Sequence, residues 1–121
     1  MNFRFPKKEK LKSRKTIERL FSEGKTMKKF PVRVNYIPVE KHETCKAAFV
    51  VPKRNFKRAV DRNRIKRQLK EAYRLHKHLL NNRSGVKFAL LFIYLGGKKL
   101  SYQEIEKSMI NLLNQLTNET D

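Results

Sequence analysis

Five cations recur at four-residue intervals in the middle of the chain: Arg58, Arg62, Lys66, Lys70 and Arg74. On a helix this spacing stacks them along one side, where like charges one turn apart destabilise the segment that carries them. The ladder therefore requires a compensating polyanion, and phosphates along a nucleic-acid backbone would supply one. Asn63, Arg64 and Arg67 flank it. Asn together with bidentate Arg can orient a phosphate or a base edge where Lys supplies only a point charge. The chemistry expected of this segment is binding.

Bond cleavage finds poorer candidates. RNA hydrolysis by a protein needs a general acid/base pair or a carboxylate cluster for two metals. His76 and His78 lie two residues apart on an expected helix and so should point to different sides, with His76 on the buried stripe. His42 falls in an expected loop, as do Glu40 and Glu43. The eleven carboxylates are scattered, and no two share a helical face in a way that would build a metal site. Neither a catalytic residue nor a protein-bound metal is expected. The single Cys45 lacks a companion for a disulfide or a zinc site and reads as a small strand residue.

Thirty Lys and Arg against eleven Asp and Glu give a net charge of +19, and 39% of the 121 residues are hydrophobic. Such self-repulsion implies an anionic partner, while the apolar fraction suffices for a core. The length fits one domain, 1–121, with a basic N-terminal segment at 1–12 and a disordered tail at 118–121. No apolar run approaches the roughly 18–20 residues of a spanning helix, and MNFRFPKKEK lacks a signal peptide's apolar stretch, so no membrane partner and cytoplasmic residence are expected. Eleven of the cations lie in 1–30 and eleven in 52–78, the latter beside only Asp61 and Glu71. The segment 52–78 is thus the expected electrostatic footprint. Composition alone fits a structural ribosomal RNA-binding protein equally well.

The elements that must position these residues follow from periodicity. Ser13 as N-cap, Gly24 as C′ residue and the apolar Ile17, Leu20 and Phe21 mark a first helix. PVRVNYIPV at 31–39 alternates Val32, Val34 and Tyr36 against Arg33, Asn35 and Ile37. CKAAFVVP at 45–52 reads as the next strand, with 40–44 as their hairpin loop and a short extra strand near 25–28. From about Arg58 to Leu80 the residues Ile65, Leu69, Ala72, His76 and Leu79 form one face of a long helix. VKFALLFIYL at 86–95 is apolar on both faces, as a central strand would be. Ser101 and Glu104 open a last helix that carries Tyr102, Ile105, Met109, Leu112, Leu113 and Leu116. The class is α+β, a sandwich of a sheet and a helical layer.

PKRNFKRAVDRNRIKRQLKEAYR at 52–74 resembles the signature of the bacterial ribonuclease P protein family, an Arg-Asn-Arg followed by Ile/Leu-Lys-Arg. Here it reads Arg62-Asn63-Arg64-Ile65-Lys66-Arg67. The likeness extends through LKSRKTIERLFSEGK, the AAFVVPKR strand end and the late LSYQEIEKSM. It implies a two-layer sandwich of a four-stranded sheet and three helices, αβββαβα, with a left-handed βαβ crossover where periodicity alone would favour the common right hand.

The resemblance also implies partners. A catalytic RNA subunit would bind Lys53, Arg54, Lys57, Arg58, Arg62, Asn63, Arg64, Lys66, Arg67, Lys70 and Arg74. The 5′ leader of precursor tRNA would lie in a cleft at Ile17, Phe21, Val32, Val34 and Tyr36. Ile17 stands where the family often has an aromatic, so Phe49 or Phe88 are further candidates for stacking. Phe21, Tyr36, Phe88 and Phe92 read first as core residues. Catalysis would belong to the RNA, with Mg2+ held mainly by it, and no protein partner would be required.

Overall fold

The computed structural model describes residues 5–39, 44–80 and 85–120. His42, Glu40 and Glu43 lie outside the described residues. The element order is α1 (Arg14–Ser22), β1 (Lys25–Lys29), β2 (Val32–Val39), β3 (Lys46–Val50), α2 (Ala59–His76), β4 (Lys87–Tyr94) and α3 (Tyr102–Thr120). Short 3-10 turns stand at Lys7–Glu9 and Lys77–Leu80.

The expected helix boundaries rest on real caps. Ser13 Oγ accepts from the Thr16 amide at 3.3 Å, which satisfies one of the free donors of the first turn. At the other end the Gly24 amide donates to the Arg19 carbonyl at 3.1 Å. A Cβ at Gly24 would stand 2.3 Å from the Leu20 carbonyl oxygen, so this approach admits only glycine. In α3, Ser101 Oγ accepts from the Glu104 amide at 3.3 Å.

β1 and β2 form an antiparallel hairpin closed by Phe30 and Pro31, with Lys29 opposite Val32. The expected hairpin between β2 and β3 does not form. The sheet order is β1-β2-β4-β3, with β4 antiparallel to β2 and parallel to β3. A strand apolar on both faces is best covered at the sheet centre, and β4 takes that place. β3 becomes its parallel neighbour, which requires the α2 crossover in place of a tight turn.

Even-numbered residues of β2 and β4 face α2 and α3. Val32, Val34, Tyr36, Phe88, Leu90, Phe92 and Tyr94 form one core with Ile65, Leu69, Ala72 and Tyr73 of α2 and Ile105, Met109, Leu112, Leu113 and Leu116 of α3. Each fully buried large apolar side chain contributes about 1.5–3 kcal/mol. The odd-numbered Ile37, Ala89, Leu91 and Ile93 join Leu11 and Leu20 on the opposite face, with Ile17 packed against them. The α+β sandwich therefore has its main helical layer on one side and α1 on the other.

Two ends of the chain are tied down. The Leu11 amide donates to the Ala47 carbonyl at 2.9 Å, Phe5 meets Phe49 and Tyr73 edge-on, and Lys77 pairs with Glu9 at 2.7 Å. The disordered tail expected at 118–121 is corrected through residue 120, because α3 runs to Thr120. Glu119 holds it there by accepting from the Tyr36 hydroxyl at 2.9 Å.

Candidate RNA interface

The segment before α2 is anchored by two buried side chains, Val51 and Phe56, with Phe56 against the Tyr94 ring at 6.0 Å. Between and beyond them Lys53, Arg54, Lys57 and Arg58 stay exposed. Arg62 Nη1 donates to the carbonyls of Phe56 and Lys57 at 2.6 and 2.9 Å. That cation fastens the basic loop to the first turn of α2.

The five-residue ladder does not form a straight row. Four helical residues turn through about 400°, so successive members rotate by about 40°. Arg62 is half-buried at the inner edge, while at the far end Arg74 Nε donates to Glu71 at 3.1 Å. Asn63, Arg64, Lys66 and Arg67 are exposed. Val60, Asn63, Lys66, Arg67 and Lys70 line a shallow depression of about 610 Å³.

Burial, with Lys66 and Lys10 nearby, holds the Lys70 ammonium below its usual range. Lys10 comes from the N-terminal segment, so the cationic surface spans two distant parts of the chain. No sequence signal pairs residue 10 with residue 70. Only the docking of the N-terminal segment on β3 brings them together.

Of the residues expected in a leader cleft, Ile17 lies against the α1-side core and Phe21 is 62% exposed. Phe21 is not the core residue its helical spacing first implies. Val32, Val34 and Tyr36 are corrected: all three are buried on the opposite face, under α2 and α3. Side chains alternate along a strand, so a one-residue offset moves the whole set to the other side. Phe49 and Phe88, the further stacking candidates, are buried in the same core.

The β2 residues on the α1 side are Arg33, Asn35, Ile37 and Val39. Thr26 Oγ1 donates to Asn35 Oδ1 at 3.3 Å, and Arg33 lies opposite Lys28. The two sets alternate as expected, and the set facing α1 is this one and not Val32, Val34 and Tyr36.

The ribonuclease P family model matches residues 5–117. The chain belongs to the ribonuclease P protein family. It is 35% identical over 112 residues to a ribonuclease P protein component of Porphyromonas gingivalis, covering 88% of this chain and 82% of that one. It is 32% identical to one of Chlorobium phaeobacteroides, covering 92% and 90%. Among solved structures, the ribonuclease P protein of Staphylococcus aureus superposes with a TM-score of 0.74 at 19% identity, covering 88% of this chain and 94% of that one. That of Thermotoga maritima gives 0.74 at 20% identity, covering 88% and 96%. These two likenesses concern the fold.

His76 and His78 of this ribonuclease P family member sit where the end of α2 meets α3. His76 Nε2 and Glu106 Oε2 are 2.9 Å apart, and the Tyr102 hydroxyl donates to the same carboxylate at 3.3 Å. The rings of His76 and His78 stand 6.4 Å apart, not on different sides as the spacing implied, because the helix tightens to 3-10 geometry at Lys77. Among the described residues, no group of three or more His, Cys, Asp or Glu could hold a metal ion. Cys45 Sγ accepts from the Phe88 amide at 3.3 Å, and burial pushes its thiol up.

Proposed function

We propose that the chain is the protein component of ribonuclease P, acting with an RNA subunit in the endonucleolytic removal of the 5′ leader from precursor tRNA. Family membership supports the subunit role and its place in tRNA processing. The exposed Asn63, Arg64, Lys66 and Arg67 on α2, continuous with Lys53, Arg54, Lys57 and Arg58, carry the RNA-binding reading. Neutralising phosphates there releases condensed counterions and draws two polyanions together. The leader lies along the α1 side of the sheet, where β2 presents Arg33 and Asn35 and α1 carries the exposed Phe21.

Bond breaking belongs to the RNA in this reading, with magnesium ions held mainly by RNA. Four of the acids support that division of labour, since they serve as internal partners: Glu9 to Lys77, Asp61 to Lys99, Glu71 to Arg74 and Glu106 to His76. Assembly needs RNA and no further protein, and its setting is the cytoplasm. No helix among the described residues is long and apolar enough to cross a membrane.

The test is to purify the tagged protein from its host and sequence the RNA that accompanies it. A single RNA of ribonuclease P type is expected. Recovery of ribosomal RNA alone would overturn the proposal in favour of a structural ribosomal role.

A further inference from the structure

Arg33 is placed against the usual rules for a charged residue. It sits on β2, an inner strand hydrogen-bonded on both edges, and its Nε is enclosed without a hydrogen-bond acceptor. A buried donor left unpaired is costly, more so when it belongs to a cation. Its cross-strand neighbour on the same face is another cation, Lys28. Directly opposed like charges destabilise a sheet. Among the described residues neither has an ion-pair partner: the paired lysines and arginines are Arg19, Lys25, Arg74, Lys77 and Lys99.

A solvated, protective edge explains only half of this. Lysines on an exposed edge strand discourage strand addition, which accounts for Lys28 on β1. Arg33 has no edge to protect. Both side chains lie on the α1 face, one pleat along from the Thr26 and Asn35 pair. Apolar contacts of α1 reach Ile37, Ala89, Leu91 and Ile93 on that face. Along β2 this face passes from Ile37 through Asn35 to Arg33, which has Lys28 of β1 on one side and Ile93 of β4 on the other. Arg33 as a whole is half-buried, and Nε is the one guanidinium nitrogen enclosed without a partner, which leaves the two Nη groups as the donors a ligand would meet. A planar guanidinium held in this way suits a phosphodiester, which can accept two of its N–H groups at once.

We infer that Arg33, assisted by Lys28, is a phosphate grip for the single-stranded leader. This rests on the leader-groove reading and adds to it a residue pair and a ligand atom. A base stacked on Phe21 and a phosphate held by Arg33 would fix the leader's path at two points. Anchoring then depends on the backbone as well as on the bases, so it tolerates any leader sequence.

The experiment uses the full chain reconstituted with the ribonuclease P RNA of its own genome. Affinity is measured for precursor tRNA, for mature tRNA and for the RNA subunit. Arg33→Gln should remove about tenfold of the advantage of precursor over mature tRNA, leave affinity for the RNA subunit unchanged, and not lower the thermal midpoint. Arg33→Lys should recover only part of the loss, because it restores charge without the fork. In parallel, single neutral methylphosphonate linkages are walked through the leader. At one or two positions the parent protein should lose the same factor, and Arg33→Gln should lose nothing further there.

If Phe21→Ala reduces the leader advantage while Arg33→Gln does not, the grip is wrong and the groove stands. If neither substitution changes it, the groove reading falls as well. Equal weakening of RNA-subunit affinity by Arg33→Gln would place Arg33 on the catalytic RNA and overturn the inference. Should Arg33→Gln unfold at lower temperature, the neutral linkages decide with the parent protein alone: no costly position means no grip.

Discussion

Arg62 Nη1 lies 2.6 Å from the Phe56 carbonyl oxygen, which makes this cation a fastener of the basic loop. Arg67, one turn further and exposed, has no such task among the described residues. Arg62→Ala should therefore lower stability by about 1–3 kcal/mol as well as weaken RNA binding. Arg67→Ala should leave the unfolding midpoint in urea unchanged and weaken RNA-subunit affinity about ten- to a hundredfold. Paired denaturation and binding titrations check this, and equal stability losses for the two variants would contradict it.

Salt should separate phosphate-binding cations from fasteners. Removing one cation that neutralises a phosphate lowers the slope of log affinity against log salt by about 1. Lys66→Ala and Arg67→Ala should each reduce the slope by that amount, measured between about 50 and 200 mM salt. An unchanged slope in both would remove the exposed face of α2 from the interface.

Phe21 and Tyr36 should fail in different ways. Phe21 is 62% exposed, so Phe21→Ala should fold with nearly parental stability and lose up to about 1–3 kcal/mol of preference for leader-bearing substrates. Tyr36→Phe removes the hydrogen bond to Glu119 and should cost about 0.5–1.5 kcal/mol of stability with leader preference intact. The reverse pattern would return Tyr36 to the cleft.

The tyrosines predict an alkaline limit. Burial pushes all four phenols up, Tyr36 and Tyr102 to about 12, with Tyr73 and Tyr94 also raised. A folded-state pKa above the unfolded value of 10.0 contributes stability that is complete below pH 10 and is lost as pH rises toward 12. Phenolate absorbance should accordingly appear together with loss of circular dichroism. Ionisation of Tyr36 or Tyr102 near pH 10 in a folded protein would contradict the packing described.

Gly24→Ala tests the corner between α1 and β1. The added Cβ would meet the Leu20 carbonyl at 2.3 Å, so the backbone must shift, at a cost of about 1–3 kcal/mol. Ser13→Ala, which removes only a cap, should cost about 1 kcal/mol. Chemical denaturation of the two variants ranks them.

The helices were legible because their signals are local. Ser13, Gly24 and Ser101 mark ends, and the spacing of Ile65, Leu69 and Ala72 marks a face. What escaped was long-range. β2 is covered on both sides, so its alternation could not tell which set faced α1, and Val32, Val34 and Tyr36 were placed on the wrong one. Proximity in sequence favoured pairing β2 with β3, yet the demand of β4 for cover on both faces overrode it. The meeting of Lys10 with Lys70 was invisible for the same reason, because it depends on a strand edge formed elsewhere.

The position of β4 also constrains how the molecule is made. Its two sheet neighbours are β2 and β3, both translated earlier. Until residues 87–94 leave the ribosome, β2 and β3 lack their shared partner and only the β1–β2 hairpin can be complete. During that interval α2, with its dense positive charge, has been synthesised but has no finished sheet to pack upon. The nascent protein thus displays its most densely cationic segment before it can hold that segment in shape, and commitment to the native surface waits for the last third of the polypeptide.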